Sequence, residues 1–159
     1  MVEFALVMPL FLTLVFGLAE FALISAASAL AQSAVEQGAR IEALAANRLG
    51  GIDAQAVALM LHQTGSLFLL HVQSITIYAS DANGAPPQPT AENIFDGAGI
   101  AGAIQTWAVA NRSGTVAAPL YVGVEITYRY QFLTSFISAA GTNLVLHATA
   151  VMPITPTGG

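Results

Sequence analysis

Residues 4–30 read FALVMPLFLTLVFGLAEFALISAASAL, with Glu20 as the one charged residue. The run is longer than the roughly 20 residues that an α-helix needs to cross the hydrocarbon core of a bilayer. Each Leu, Val, Phe or Met that is removed from water contributes roughly 1.5–3 kcal/mol, so exposing a dozen of them would exceed the net stability of a domain. The run therefore predicts a helix that lies in lipid or in a bundle of its own copies.

The charges around this run are placed in an unusual way. No Lys or Arg precedes Arg40, whereas a signal peptide carries a positive segment before its apolar stretch and a membrane span uses flanking Lys or Arg to set its orientation. We interpret the missing positive flank as the result of cleavage of a longer precursor. Glu3 and Glu20 are expected to have specific partners, because an unpaired carboxylate costs roughly 2.5–3.5 kcal/mol in the middle of a membrane.

Composition limits the rest of the chain to one small unit. The 159 residues include no Cys, 55% are hydrophobic and 8% are charged, which predicts a helix over residues 1–48 and a head domain over residues 49–159. The net charge of -5 argues against binding nucleic acid, which requires a basic surface. So few charges also indicate that copies of the chain cover much of its surface.

The pattern predicts a single helix that continues to about Arg48 and stops at Gly50 and Gly51. In its second half, one side carries apolar residues at helical spacing and the other side carries polar residues. The apolar side consists of Ala27, Leu30, Ala34, Ile41 and Leu44, and the polar side of Ser25, Gln32, Glu36, Arg40 and Asn47.

The head domain is predicted to pair a three-stranded antiparallel sheet with this helix, which is an α+β fold with a lollipop shape. A short helix over residues 53–63 is expected to be capped by Asp53. The predicted strands cover residues 67–79, 122–132 and 144–152, with a helical link over 136–140. Residues 90–110 are expected to form a loop and then a helix that carries Trp107.

A family resemblance rests on residues 2–40, VEFALVMPLFLTLVFGLAEFALISAASALAQSAVEQGAR. The matching elements are Val2, Glu3 and Phe4, then Pro9, then Gly17 before Glu20 and Phe21, and the segment AVEQGAR at 34–40. In combination they resemble the N-terminus of TadE-like proteins, the pilin-related subunits of tight-adherence pili in the type IV filament superfamily. The last third of the chain, with two alternating strands, also resembles the end of such proteins.

The resemblance implies a non-enzymatic subunit that waits in the cytoplasmic membrane and is then built into an extracellular filament for adhesion and surface attachment. Its implied partners are copies of itself, a prepilin peptidase, an assembly ATPase and membrane platform proteins. The family pattern has its acid at the fifth mature position, whereas Glu3 is third here, so either two residues precede Met1 or the cleavage register differs. Glu3 is expected to neutralise the N-terminal amine of its own or a neighbouring subunit and thereby fix axial register; the alternative is an acid stabilised at a helix N-terminus.

The expected assembly residues are Glu3, Phe4, Pro9, Gly17, Glu20 and Phe21. Pro9 lacks an N–H and predicts a kink, and Gly17 is expected at a close helix contact. No catalytic, metal or cofactor site is predicted: the three histidines lack ligand spacing, and Gly97, Gly99 and Gly102 form a GxGxxG string that no convincing strand precedes. Two other functions stay open, a membrane-anchored minor pseudopilin and a binding protein that never polymerises.

Overall fold

The computed structural model describes residues 2–45, 51–85, 91–112, 120–133 and 143–154. Two α-helices and a short 3₁₀ turn accompany five strands. The helices are α1 (Val2–Ala45) and α2 (Ile52–Thr64), and the 3₁₀ turn covers Val109–Asn111. The strands are β1 (Leu70–Ser80), β2 (Glu92–Asp96), β3 (Ala101–Gln105), β4 (Tyr121–Gln131) and β5 (Asn143–Pro153).

All five strands form one antiparallel sheet in the order β3-β2-β1-β4-β5. The second half of α1 packs on β4 and β5, and α2 packs on α1 and β1. Alternating residues of β4 from Val122 to Tyr130 face the helix and are fully buried, because a strand turns successive side chains to opposite faces. The predicted α+β class and lollipop layout are confirmed.

The buried face of α1 consists mainly of small residues. Ala27, Ala31, Ala34, Val35 and Ala39 have no accessible surface, and their three- and four-residue spacing places them on one side of a helix. The predicted apolar face was partly wrong, since Leu44 is exposed and Glu42 takes the buried position. The predicted polar face is confirmed from Ser25 to Arg40, while Asn47 lies outside the described residues.

The segment between β1 and β4 differs most from the prediction. Residues 92–105 form a β-hairpin, not a loop, and Trp107 lies in the extended link after β3 instead of in a helix. The Asp96-Gly97 dipeptide that begins the turn is a hairpin signal, and the Asp96 carboxylate accepts the backbone N–H groups of Ala98 and Ile100. Alanine and glycine in β3 concealed the strand, because neither residue favours strands. The predicted helical link over 136–140 lies outside the described residues.

Candidate functional site

The first half of α1 leaves its large side chains uncovered. The exposed set consists of Phe4, Val7, Met8, Leu10, Phe11, Leu14, Val15, Phe16, Leu18 and Phe21. Among the described residues, α1 is the one helix that is long and apolar enough to cross a membrane, by its length and composition. Ordinary monomeric proteins rarely expose so large an apolar surface. This half of the helix therefore requires lipid or other protein around it, which indicates membrane anchoring.

Glu20 marks the point where the helix meets the head. It is 1% exposed, whereas its neighbour Phe21 is 71% exposed. The Tyr130 hydroxyl donates to Glu20 Oε1 at 3.0 Å, and the backbone N–H of Leu133 donates to the same oxygen at 3.0 Å. These bonds compensate the desolvation of a carboxyl group. The predicted need of Glu20 for a partner is met within the subunit, and its contribution to assembly stays a prediction.

The contact with Glu20 also changes the ionisation of Tyr130. Its hydroxyl is buried among the sheet and helix, and burial together with the Glu20 hydrogen bond and charge raises the pKa of Tyr130 to about 12. Its ring also makes an edge-to-face contact with Phe132, with centroids 5.7 Å apart. The neutral phenol is thus held as a hydrogen-bond donor across the physiological pH range. Glu20, Tyr130 and the Leu133 N–H together form what we call the neck clamp.

The structure places the other expected assembly residues as follows. Phe4 is 70% exposed, and Pro9 lies inside α1, where its carbonyl accepts the Thr13 hydroxyl. Apart from its own turns of the helix, no described part of the chain would lie within 4 Å of a Cβ added at Gly17. The backbone of Glu3 is helical, but its side chain lies outside the described set. The roles of these residues, including close packing at Gly17 and register at Glu3, stay predictions.

A second polar cluster fixes α1 at the other end of the head. The Arg112 guanidinium donates to Glu42 Oε2 at 2.7 Å and to both carboxylate oxygens of Asp53, at 2.5 and 2.7 Å. It lies over the Trp107 ring, 4.4 Å from the centroid, and donates to the Trp107 carbonyl. Asn93 completes the cluster by donating to Asp53 and to that same carbonyl. Arg112 and Glu42 are 1% exposed.

Asp53 has a different role in the structure from the one predicted. The cap residue of α2 is Gly51, with a left-handed φ of 78°, so the prediction of Asp53 as the cap was wrong. Asp53 instead holds Arg112 because a buried guanidinium requires a charged partner. Sequence alone could not join residues 42, 53 and 112, which come from three separate segments. The one available signal was Glu42, an acid four residues after the buried position 38 on the same helix face.

Two of the three histidines lie on strands of the sheet. His147 Nδ1 lies 2.9 Å from Glu125 Oε1 and 3.1 Å from the Thr127 hydroxyl oxygen on the open face of the sheet. His71 and His147 are on strands that flank β4 and do not neighbour each other. Within the described ranges, no group of three or more His, Asp or Glu side chains could hold a metal ion.

Comparison with known proteins gives one match. The family model described as TadE-like protein matches residues 1–40, about a quarter of the chain. The predicted resemblance is therefore confirmed over the part of α1 that contains the exposed apolar surface and the neck clamp's Glu20, and it associates this segment with the Tad pilus. The resemblance of the last third stays a prediction. No curated protein and no solved structure matches the chain.

Proposed function

We propose that this chain is a structural subunit of a tight-adherence pilus. Before assembly, the first half of α1 crosses the cytoplasmic membrane. During assembly it leaves the lipid and packs against the same segment of other copies, so that apolar helices form the core of an extracellular filament. The family match at residues 1–40 supports this placement, since TadE-like proteins are structural and not enzymatic.

The observation that carries the proposal is an abrupt change, along a single helix, in how far the head buries the helix side chains. Before Glu20 the large apolar side chains are mostly exposed, whereas after Ala27 one face of the helix carries mainly small side chains that the head buries. The same exposed surface suits lipid and suits a bundle of copies, because both exclude water from it. Exchange of one apolar environment for the other changes little hydrophobic energy, which allows subunits to move between membrane and filament.

A face of small residues supports helix packing in the filament. Ala22, Ala26 and Ala29 are exposed, and Gly17 lies between one and two helical turns before Ala22. Small residues allow apolar helices to approach closely when no water is present to drive association. The head then lies outside this core and supplies the adhesive surface of the filament. Prepilin peptidase, an assembly ATPase and platform proteins complete the proposed set of partners.

Cysteine cross-linking tests this function directly, because the chain has no cysteine of its own. Leu14→Cys places a thiol on the exposed half of α1, and Ala31→Cys places one on its buried face. Filaments sheared from cells are treated with a bifunctional maleimide and separated by denaturing electrophoresis. We expect linked dimers from Leu14→Cys, because one thiol per subunit lets the reagent join only two chains, and monomers from Ala31→Cys.

Other outcomes identify the alternatives. A chain that stays in the membrane fraction and forms no linked dimer contradicts the filament proposal and supports a membrane-anchored binding protein. A chain that enters sheared filaments only in trace amounts beside another bulk subunit supports a minor pseudopilin.

A further inference from the structure

A second exposed apolar surface lies on the head, at the end where α1 leaves it. Outside α1, the described part of the chain exposes six large hydrophobic side chains, and four of them belong to this end of the sheet. These four are Phe68, Leu133, Leu144 and Val145, which we call the head-end patch. Phe68 is 73% exposed and Leu133 is 59% exposed. The other two exposed residues, Ile100 and Ile104, belong to the β2–β3 hairpin.

The strand register brings the members of this patch together. Leu70 at the start of β1 pairs with Tyr130, which pairs in turn with Leu144 at the start of β5. The Gln131 N–H donates to the carbonyl of Leu69, the residue after Phe68, at 2.9 Å. The starts of β1 and β5 therefore meet the end of β4 at one edge of the head.

The neck clamp fixes this edge beside α1. Leu133, a member of the patch, donates its N–H to Glu20 Oε1 at 3.0 Å, and the neighbouring strand residue Tyr130 donates to the same atom. Phe21, the last exposed large hydrophobic residue of the first half of α1, directly follows Glu20. Among the described residues, the head-end patch therefore lies beside the point where the exposed half of α1 ends.

The charge pattern around the patch is that of a membrane interface. Residues 130–146 contain no acidic, basic or histidine residue, and neither do residues 63–70. Arg129 borders the patch on the open face of the sheet, where it is exposed and pairs with His71 on β1 and with Val145 on β5. Arg suits the level of lipid headgroups, because its apolar stem can lie along hydrocarbon while its guanidinium stays in the polar layer.

We infer that the head-end patch inserts into the outer interface of the bilayer before assembly, with Arg129 among the lipid phosphates. This inference rests on the proposed function, in which α1 crosses the membrane. If α1 is in the bilayer up to Phe21, the clamp holds Leu133 and Phe68 at the membrane surface. The bilayer supplies apolar contact for the patch and negatively charged phosphates for Arg129, which attract a cation at the membrane surface. When the subunit leaves the membrane during assembly, the head must then leave the bilayer interface and α1 must leave the hydrocarbon core.

Depth-sensitive fluorescence tests the inference on the full chain. The chain is reconstituted in nanodiscs that hold one copy, with phosphatidylcholine and phosphatidylglycerol, and carries a single nitrobenzoxadiazole-labelled cysteine. Leu14→Cys reports the membrane span, Leu133→Cys reports the patch, and Ala82→Cys is the control in the exposed turn at the opposite end of the sheet. Quenching is measured with headgroup spin-labelled lipid and with aqueous iodide.

We expect the Leu133 probe to shift to shorter wavelength and to be quenched by the labelled headgroups, while the Ala82 probe responds to iodide alone. Arg129→Gln should weaken headgroup quenching at Leu133 when phosphatidylglycerol is present. The inference is overturned if the Leu133 and Ala82 probes are equally open to iodide while the Leu14 probe is in lipid. It is also overturned if protection of Leu133 requires two copies in one nanodisc, because the occupant is then another subunit. An iodide-accessible Leu14 probe instead contradicts the membrane-spanning part of the proposed function.

Discussion

The two halves of α1 are both rich in apolar residues, yet they are covered in opposite ways. Before Glu20 the helix carries Leu, Phe, Val and Met side chains that are mostly exposed. After Ala27 it carries mainly alanine on the face that meets the sheet. The two buried acids, Glu20 and Glu42, bind the head near the beginning and the end of the packed half.

The comparison shows that side-chain size, more than hydropathy, separates the two roles. Small residues let α1 lie close to the sheet and to α2; a Cβ added at Gly38 would be 2.5 Å from the Met60 sulfur. A head of this size cannot cover large side chains that are spaced as closely along the helix. These side chains therefore require lipid or other copies of the chain. The packed half therefore determines the stability of the head, and the exposed half determines where the subunit can reside.

The largest loss of head stability is expected from Arg112→Ala. The change leaves Glu42 and Asp53 buried without their cation, which typically costs about 3–5 kcal/mol. Urea unfolding in detergent, followed by circular dichroism, measures the change in free energy. The matched control is Arg129→Ala on the open face, expected within about 0.5 kcal/mol of the parent. Equal effects at the two positions would contradict the role of the Arg112 cluster.

A pair of identical substitutions separates the two faces of the packed half. Ala31→Leu forces extra volume into a fully buried position and should destabilise the head by about 1–3 kcal/mol. Ala29→Leu places the same side chain on the exposed face, so head unfolding should be unchanged. The same unfolding experiment measures both variants, and a destabilised Ala29→Leu would show that the second face is also covered within the subunit.

Removal of one hydroxyl tests the neck clamp. Tyr130→Phe deletes a buried donor to Glu20 and should cost about 1–2 kcal/mol. It should also change the alkaline response: the pKa of Tyr130 is about 12 in the folded chain, against 10.0 for an unperturbed tyrosine. The folded state therefore retains its proton longer, and stability declines as pH rises between these values. The Tyr130→Phe variant should lack this pH-dependent loss of stability. Unfolding curves collected from roughly pH 9 to 12, the range in which tyrosine titrates, measure the difference.

Gly17→Leu is expected to have the smallest effect on the stability of the head and a large effect on filament assembly. A side chain at Gly17 enters open space in the single chain, so unfolding and membrane insertion should match the parent. In a filament the same side chain would separate helices that must pack closely, and assembly should fail. Recovery of sheared filaments from cells measures the effect, with Leu18→Phe as a control at an already large exposed residue. Normal filaments from Gly17→Leu would contradict close packing at this position.

Local sequence pattern predicted the elements that carry strong periodicity. The long helix, α2, and strands β1, β4 and β5 follow from apolar spacing and from turn signals such as Asp81 and Gly84. The β2–β3 hairpin was missed because its strands are short and β3 is made of weak strand formers. The neck clamp and the Arg112 cluster were missed because their central contacts join residues far apart in the chain, 59 residues for Arg112 and Asp53 and 113 residues for Glu20 and Leu133. Pairing over such distances depends on the completed fold.

Cryo-electron microscopy of sheared filaments tests the central claim most directly. The account predicts a helical shaft whose core consists of the exposed half of α1 from many copies, with the packed half and the head outside it. Large side chains such as Leu14 should contact neighbouring subunits, and Glu20 should remain bound to Tyr130. A shaft that lacks this chain, or one in which the heads form the core and these helices face solvent, would contradict the account.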